Sequence, residues 1–244
     1  MLHYGLIGKS LKHSFSKDYF TSKFERAHID ADYSLCELAN IEEMRDVFSK
    51  KWQGLNVTIP YKEQIIPFLN EVDDLATQIG AVNTIQFSKK EGQTWLKGFN
   101  TDVIGFETTL KPLLQTHHTH ALVLGTGGAS KAVTYVLTQL NIPYVYVSRE
   151  AGLNKLGYEE LTSELISTHT LIINTTPLGM FPDLESYPDI PYKAIGEKHL
   201  LYDLVYNPVK TQFLLQGEAR GATIKNGLEM LINQAEAAYE IWNQ

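Results

Sequence analysis

Two groups of residues in this chain have the types and spacing from which ligand sites are made. The first is Leu122-Val123-Leu124-Gly125-Thr126-Gly127-Gly128-Ala129-Ser130. An apolar run enters a glycine-rich turn, and helical periodicity leaves it. In such a segment the first glycine permits a tight turn and the second lets the backbone approach a pyrophosphate. The helix start offers unpaired N–H groups at the positive end of its dipole. Gly125 and Gly127 match the G-x-G-x-x-G/A pattern, with Ser130 in the third place. A structural tight turn would use the same glycines, but the strand before and the helix after favour a dinucleotide. The next apolar run ends in Val147-Ser148-Arg149-Glu150. An acidic residue at this point, about twenty residues past the glycines, holds the ribose 2′-hydroxyl of NAD. Here the first charged residue is Arg149, 21 positions after Gly128. Its planar, multi-donor guanidinium suits a 2′-phosphate. The expected cofactor is therefore NADP, with Glu150 opposing that preference.

The second group is spread through the first hundred residues. Ser14 and Ser16 follow the first apolar run, in Leu11-Lys12-His13-Ser14-Phe15-Ser16. Two hydroxyls at that spacing face one concave site if the loop is extended. A serine there is equally an N-cap for the next helix, and Ser16 suits both roles. Lys62 closes Asn56-Val57-Thr58-Ile59-Pro60-Tyr61-Lys62, beyond a strand's carboxyl end, where an ordinary surface lysine is the plain alternative. Ala81-Val82-Asn83-Thr84 adds an amide, and Asn100-Thr101-Asp102 adds a carboxylate. Polar groups that interrupt apolar strands at similar levels are what ligand-facing strand ends look like.

Strands and helices must alternate to position these groups. Apolar runs at residues 4–8, 33–35, 55–59, 81–85, 95–99, 121–125, 144–147, 170–174 and 200–204 read as strands. Helical segments are expected at about 16–29, 40–50, 62–79 and 128–140, and from Gly227 to Trp242. This alternation implies mostly parallel pairing with helices on both faces. The pattern restarts after residue 116, which predicts two α/β domains. The first, 1–102 plus 227–244, has a mostly parallel sheet and the second, 103–226, is Rossmann-like. Residues 175–191, with Pro177, Pro182, Pro188 and Pro191, form a long loop after a strand. His117, His118 and His120 lie in a polar stretch that reads as a solvated turn, and no metal site is expected.

The formal net charge is −7 and no long basic run occurs, so no nucleic-acid partner is expected. The single cysteine, Cys36, excludes an intramolecular disulfide and reads as a buried structural thiol. Met1-Leu2-His3-Tyr4-Gly5 has no signal-peptide character, and no run approaches the ~20 apolar residues of a membrane helix. A cytoplasmic protein without membrane contact is expected.

Seven segments, in order along nearly the whole chain, resemble the shikimate dehydrogenase family. They are Ser14-Phe15-Ser16, Asn56 to Lys62, Gly80 to Thr84, Asn100-Thr101-Asp102, Gly125 to Ala129, Tyr202 to Pro208, and Gly227 to Leu231 with Gln234. The resemblance implies NADPH-dependent, reversible reduction of 3-dehydroshikimate to shikimate in aromatic amino acid biosynthesis. It implies that Ser14 and Ser16 hold the substrate carboxylate. Thr58, Asn83, Asp102 and Gln234 would bind ring hydroxyls, with Tyr206 assisting. Lys62 and Asp102 would be the catalytic pair. Gly125, Thr126, Gly127, Gly128, Ala129, Ser148, Arg149, Thr175, Leu204 and Gly227 would contact NADP. The last helix would return to the first domain and bring Gln234 to the cleft. Two departures stand out. Lys17, Phe20 and Thr21 replace the proline, histidine and asparagine that follow the serines in the family. Ser148-Arg149-Glu150 replaces Asn-Arg-Thr, which implies a weaker NADP preference. Two other readings remain open: a quinate/shikimate dehydrogenase using NAD or both cofactors, and a catalytically idle ligand-binding paralogue. The family includes monomers and homodimers.

Overall fold

The computed structural model describes residues 1–11 and 14–244. Lys12 and His13, which the sequence puts in the loop after the first strand, lie outside the described residues. The chain divides into two units, Met1–Thr101 with Ala235–Gln244, and Asp102–Gln234.

The first unit runs β1 (Leu2–Gly8), α1 (Phe15–Ala27), β2 (Ala31–Glu37), α2 (Met44–Phe48), β3 (Gly54–Val57), β4 (Glu71–Val72), α3 (Asp74–Ile79), β5 (Thr84–Lys90) and β6 (Gln93–Phe99). Its sheet has the order β2-β1-β3-β5-β6-β4. β1 is parallel to β2 and β3, whereas β5 is antiparallel to both β3 and β6. Alternation along β1 sends Tyr4 and Leu6 to one face and Ile7 to the other. Ile7 joins Leu55, Val57, Tyr61 and Ile65 in one core cluster, while Tyr4 and Leu6 meet Phe20, Phe24 and Trp242 in another.

The second unit continues with α4 (Asp102–Leu110), β7 (Ala121–Leu124), α5 (Gly128–Gln139), β8 (Tyr144–Ser148), β9 (Lys155–Gly157), α6 (Ser163–Thr168), β10 (Leu171–Asn174), β11 (Leu200–Asp203), α7 (Gln212–Glu218), β12 (Thr223–Lys225) and α8 (Leu228–Trp242). Its sheet, in the order β12-β11-β10-β7-β8-β9, is parallel throughout. This is the doubly wound order, in which the chain switches direction between β7 and β10. Every residue of β7, β10 and β11 is buried, as sheets covered on both faces require.

Helix α8 belongs to the second unit up to Gln234 and to the first from Ala235. Its end is fastened within the first unit. The Trp242 indole donates to the Ile85 carbonyl at 3.0 Å, and Gln86 donates to the Ile241 carbonyl at 2.6 Å. Gly54 is what lets the indole reach β3. A Cβ there would stand 2.1 Å from the Trp242 ring. Tyr19 and Lys23 of α1 both bond Glu236.

Several expectations change. The helix expected at 62–79 is a turn, a 3₁₀ segment at Ile66–Phe68, β4 and only then α3. Pro67 has no N–H to continue a helix, and Asp73 caps α3 by accepting from Leu75 N at 3.0 Å. The helix expected at 40–50 begins as a 3₁₀ turn and shortens to α2. Strands β4, β9 and β12 and helices α4, α6 and α7 are not among the expected elements; α4 has nine residues and the others seven or fewer, too short for a clear period. Cys36 is half-buried rather than buried. The histidine stretch is not a solvated turn throughout. His118 is 6% exposed and its Nδ1 accepts from Gln115 N at 3.0 Å. No helix of the described residues is long and apolar enough to cross a membrane.

Burial lowers the His118 pKa, and the neighbouring His117 and His199 add to the effect. His169 is lowered in the same way, by burial and by His120. A base whose folded pKa lies below its unfolded value stabilises the fold fully above that value. The contribution is lost as pH falls, because the unfolded chain takes the proton first. Burial raises the pKa of Asp203 in β11, so that group titrates in the opposite sense and the useful measurement is a difference. In urea titrations, the stability of the wild type relative to His118→Gln should fall between pH 7.5 and 5.5. A constant difference would contradict the burial of a neutral imidazole.

Candidate active site

The topology of the first unit gathers four loops at one sheet edge. β1 and β3 are parallel and end there, and β5, antiparallel to them, begins there. Thr84 pairs with Asn56 on one side and Phe99 on the other, so β6 ends at the same level. Residues 9–11, 58–62, 80–83 and 100–101 therefore lie at one edge, and Ser14 and Ser16 follow from the end of β1. Ser14 is the N-cap of α1, its hydroxyl accepting from Lys17 N at 3.4 Å. The cap is thus Ser14, and Ser16 lies in the first turn. Ser16 is buried and near enough to hydrogen-bond the Tyr33 hydroxyl.

Lys62 is half-exposed in a turn held on both sides. Tyr61 and Ile65 are buried in the core, and the Tyr61 hydroxyl donates to the Leu38 carbonyl at 2.7 Å. The Lys62 carbonyl accepts from Val82 N at 2.7 Å, which ties this turn to the loop carrying Asn83. Thr58 is half-exposed, and its N–H donates to the Ile7 carbonyl at 2.8 Å.

Asn83 is buried and its carboxamide is bound at both ends to Thr101. Oδ1 accepts from Thr101 N at 2.7 Å, and Nδ2 donates to Thr101 Oγ1 at 2.9 Å. Asp102 follows directly as the first residue of α4 and is 5% exposed. Within the second unit Gly105, one turn along α4, lies against α8. A Cβ there would stand 2.4 Å from the Met230 carbonyl and 3.2 Å from Gln234 Cβ. Asp102 and Gln234 are therefore carried by two helices in close contact. Tyr206 is half-exposed in the loop after β11.

The glycine turn of the second unit follows β7 and opens α5. Gly125 has φ +105°, in the left-handed region, and a Cβ there would stand 2.7 Å from Thr175 Oγ1. Gly127 is the N-cap of α5, without a side chain to cap it and with nothing within 4 Å of where its Cβ would be. The first turn of this 12-residue helix has no acidic side chain. Open space over a bare helix N-terminus fits a pyrophosphate. Thr126 is exposed, and Gly128 and Ala129 form the first turn of α5. Thr175, across the switch point, donates to the Leu124 carbonyl at 2.7 Å. Leu204 N donates to the Asn174 carbonyl, and Gly227 N to the Val205 carbonyl. Thr175 and Leu204 thus lie with Gly125 along the carboxyl edge of β7, β10 and β11. At the end of β8, Ser148 donates to the Glu150 carbonyl at 2.5 Å, and Arg149 and Glu150 are exposed.

Asp203 braces the same edge. It accepts from Asn174 Nδ2 at 2.9 Å, Val205 N at 3.0 Å and Thr211 Oγ1 at 2.5 Å. Burial pushes its pKa up to about 6, against these three hydrogen bonds. The sequence reading had no role for Asp203, nor for Tyr33, Asn56, Thr84 and Thr101 beneath the first site. A buried asparagine inside the wholly buried strand β3 was the available signal.

Residues 6–85 match the family model described as the shikimate dehydrogenase substrate binding domain. The chain is 38% identical over 255 residues to the shikimate dehydrogenase (NADP(+)) of Clostridium beijerinckii, spanning 100% of this chain and 93% of that protein. It is 36% identical over 259 residues to the protein of the same name from Methanosphaera stadtmanae, spanning 98% and 90%. Among solved structures, shikimate dehydrogenase from Aquifex aeolicus is similar with a TM-score of 0.87 and 34% identity, covering 100% of this chain and 92% of that one. The Thermus thermophilus shikimate 5-dehydrogenase in complex with NADP(H) and shikimate is similar with a TM-score of 0.85 and 29% identity, covering 99% and 93%.

The two glycines should respond differently to a side chain. Gly127→Val should change stability by no more than about 0.5 kcal/mol, yet raise the dissociation constant for a dinucleotide at least about tenfold. Gly125→Val should lower the urea midpoint itself, because its φ and its neighbours exclude a Cβ. Dinucleotide titration and urea unfolding of both variants check this. Unimpaired binding by Gly127→Val would remove the pyrophosphate from that turn.

Proposed function

The chain belongs to the shikimate dehydrogenase family, and we propose that it reduces 3-dehydroshikimate to shikimate, reversibly, with NADPH. The observation that carries this reading is the single sheet edge of the first unit, from which the loops bearing Ser14, Ser16, Thr58, Lys62 and Asn83 all leave. Such a convergence of hydroxyl, amide and ammonium groups suits a small polyhydroxylated carboxylate.

In this reading the first unit binds substrate and the second binds NADP. Ser14 and Ser16 hold the carboxylate by hydroxyl hydrogen bonds. Thr58, Asn83, Asp102 and Gln234 bind the ring hydroxyls, with Tyr206 assisting. NADPH, when bound, supplies the hydride. The residues that would hold it are Gly125 to Ala129 at its pyrophosphate, Ser148 and Arg149 at its 2′-phosphate, and Thr175, Leu204 and Gly227 along the strand ends. Hydride arriving at a ketone carbon builds negative charge on the oxygen. The Lys62 ammonium stabilises that charge and delivers the proton. Asp102 orients Lys62 and accepts a hydrogen bond from a substrate hydroxyl. In the oxidative direction Lys62 takes the proton back. Arg149 favours NADP, and Glu150 beside it weakens the discrimination.

The direct test follows absorbance of NADPH and of NADH with 3-dehydroshikimate, and runs shikimate and quinate with the oxidised cofactors. NADPH oxidation well above NADH oxidation is expected. Equal use of both cofactors would discard the Arg149 argument and keep the reaction. Preference for quinate would replace the substrate, and binding without turnover would make the chain an idle paralogue.

Lys62→Ala should lower kcat by roughly 10²- to 10⁴-fold while the KM for shikimate changes by a few-fold at most. Nearly unchanged turnover would remove Lys62 from the chemistry.

A further inference from the structure

Beneath the substrate edge of the first unit lies a chain of buried polar side chains to which the reaction gives no direct part. Tyr33 on β2, Asn56 on β3, Thr84 at the start of β5 and Thr101 after β6 are each no more than 4% exposed. The Tyr33 hydroxyl donates to Asn56 Oδ1 at 2.7 Å. Burial holds the Tyr33 pKa well above its ordinary value, so the hydroxyl keeps the proton it donates. Asn56 must then turn its NH₂ inward, where it donates to the Asn83 carbonyl and to Thr84 Oγ1, both at 3.3 Å.

This leaves the Thr84 hydroxyl with a defined task. One lone pair is taken by Asn56, and its proton points to Asn83 Oδ1 at 3.1 Å. Thr101 Oγ1 stands 3.2 Å away on the other side. Asn83 Oδ1 also receives Thr101 N at 2.7 Å. Thr101 Oγ1 reaches the same oxygen at 3.2 Å. With three donors around Oδ1, a flipped amide would set its NH₂ against the fixed Thr101 N–H and turn both hydroxyls away from their acceptor, leaving a buried donor unpaired. The flip state of Asn83 is thereby set, and its nitrogen edge is the donor edge.

We propose that Thr84 is a positioning residue of the active site: its hydroxyl fixes the orientation of the Asn83 carboxamide and, through it, the Thr101 backbone from which Asp102 starts. The consequence for substrate follows from donor and acceptor types and rests on the shikimate reading. A hydroxyl bound at Asn83 receives a hydrogen bond from the amide. It must then give its own proton to an acceptor, and the carboxylate of Asp102 is an acceptor only. Thr84 thus selects a substrate hydroxyl that accepts at one neighbour and donates at the other.

The test compares Thr84→Val, which keeps the β-branched shape and removes only the hydroxyl, with Thr84→Ser, which keeps the hydroxyl. The first readout needs no substrate. The side-chain amide signal of Asn83, identified by its loss in Asn83→Ser, should exchange with solvent at least several-fold faster in the Val variant. Backbone amides of β3 and β5 should be unchanged. The second readout is shikimate oxidation. Thr84→Val should lower kcat about tenfold with the KM for NADP⁺ unchanged, and Thr84→Ser should restore kcat to within about twofold. Unaltered Asn83 exchange overturns the proposal. So does a loss of turnover that Ser fails to rescue, since that marks a merely structural side chain. Absence of shikimate turnover in the wild type, with faster Asn83 exchange in Thr84→Val, rejects the activity reading and supports the role of Thr84.

Discussion

The hydrogen bond from Thr101 N to the Asn83 carboxamide oxygen Oδ1 is the constraint on which the first unit's edge depends. Both residues are buried, and a buried polar group left unpaired costs about 1–3 kcal/mol. The bond cannot be lost cheaply, and it joins the start of β5 to the end of β6 at the level where those strands stop pairing. Asn83 is also held through its backbone, N–H to the Phe99 carbonyl and carbonyl to Val57 N. The same residue is thereby fixed to β6 and to β3. The loop it belongs to then holds the Lys62 turn through Val82. A short run, 80–84, thus holds both the lysine turn and Thr101. Polar residues inside a sheet are expensive, and this edge tolerates Asn56, Asn83, Thr84 and Thr101 because each is hydrogen-bonded to another of the four.

The second unit meets its constraint with backbone rather than side chains. Its parallel sheet supplies strand ends buried on both faces, and the turn after β7 must leave them without a Cβ in two different ways. Gly125 lacks one because Thr175 and Thr176 occupy the space and because its φ is positive. Gly127 lacks one over open space, so packing within the protein gives no reason for its being glycine. The first glycine answers to the fold, and the second to nothing packed against it, a distinction that spacing alone does not make.

What was legible in the sequence follows from how strongly each element is over-determined. β7, β10 and β11 read as strands because burial on both faces makes them continuously apolar. α1 and α5 read as helices because they are 13 and 12 residues long, enough turns to display a period. The stretch 62–79 failed because its apolar residues, Ile65, Ile66, Phe68, Leu69, Leu75 and Ile79, also fit a helix, and the pattern does not register that Pro67 breaks it. β9 and β12 have three residues each at opposite sheet edges, where pairing with one neighbour makes them strands. In the site, residues facing the edge were legible as polar interruptions. The supporting layer was not: Tyr33 looks like an ordinary alternating strand residue, and its partnership with Asn56 spans 23 positions. Long-range hydrogen bonds leave no local pattern.

The two units brace their loops with chemically different groups, and the difference has a physical consequence. Asn83 carries both donor and acceptor and has no charge to titrate, so its geometry is independent of pH. Asp203 offers two acceptor oxygens to three donors, from Asn174, Val205 and Thr211, and links the ends of β10 and β11 to the loops that follow. Those donors favour the carboxylate, yet complete burial favours the acid more strongly and carries the pKa to about 6. Near neutral pH the side chain is ionised and all three donors are matched. Below about 6 it takes a proton, and one oxygen becomes a donor facing groups that already donate. Thr211 is the partner best able to adjust, since its hydroxyl can rotate to accept instead. Its oxygen also caps α7 by accepting from Leu214 N at 3.4 Å. A proton on Asp203 is therefore felt first at the start of α7 and in the loop before it. Among Tyr33, Asn56, Asn83, Thr84 and Thr101, the buried layer of the first unit's edge, there is no carboxylate to answer in the same way.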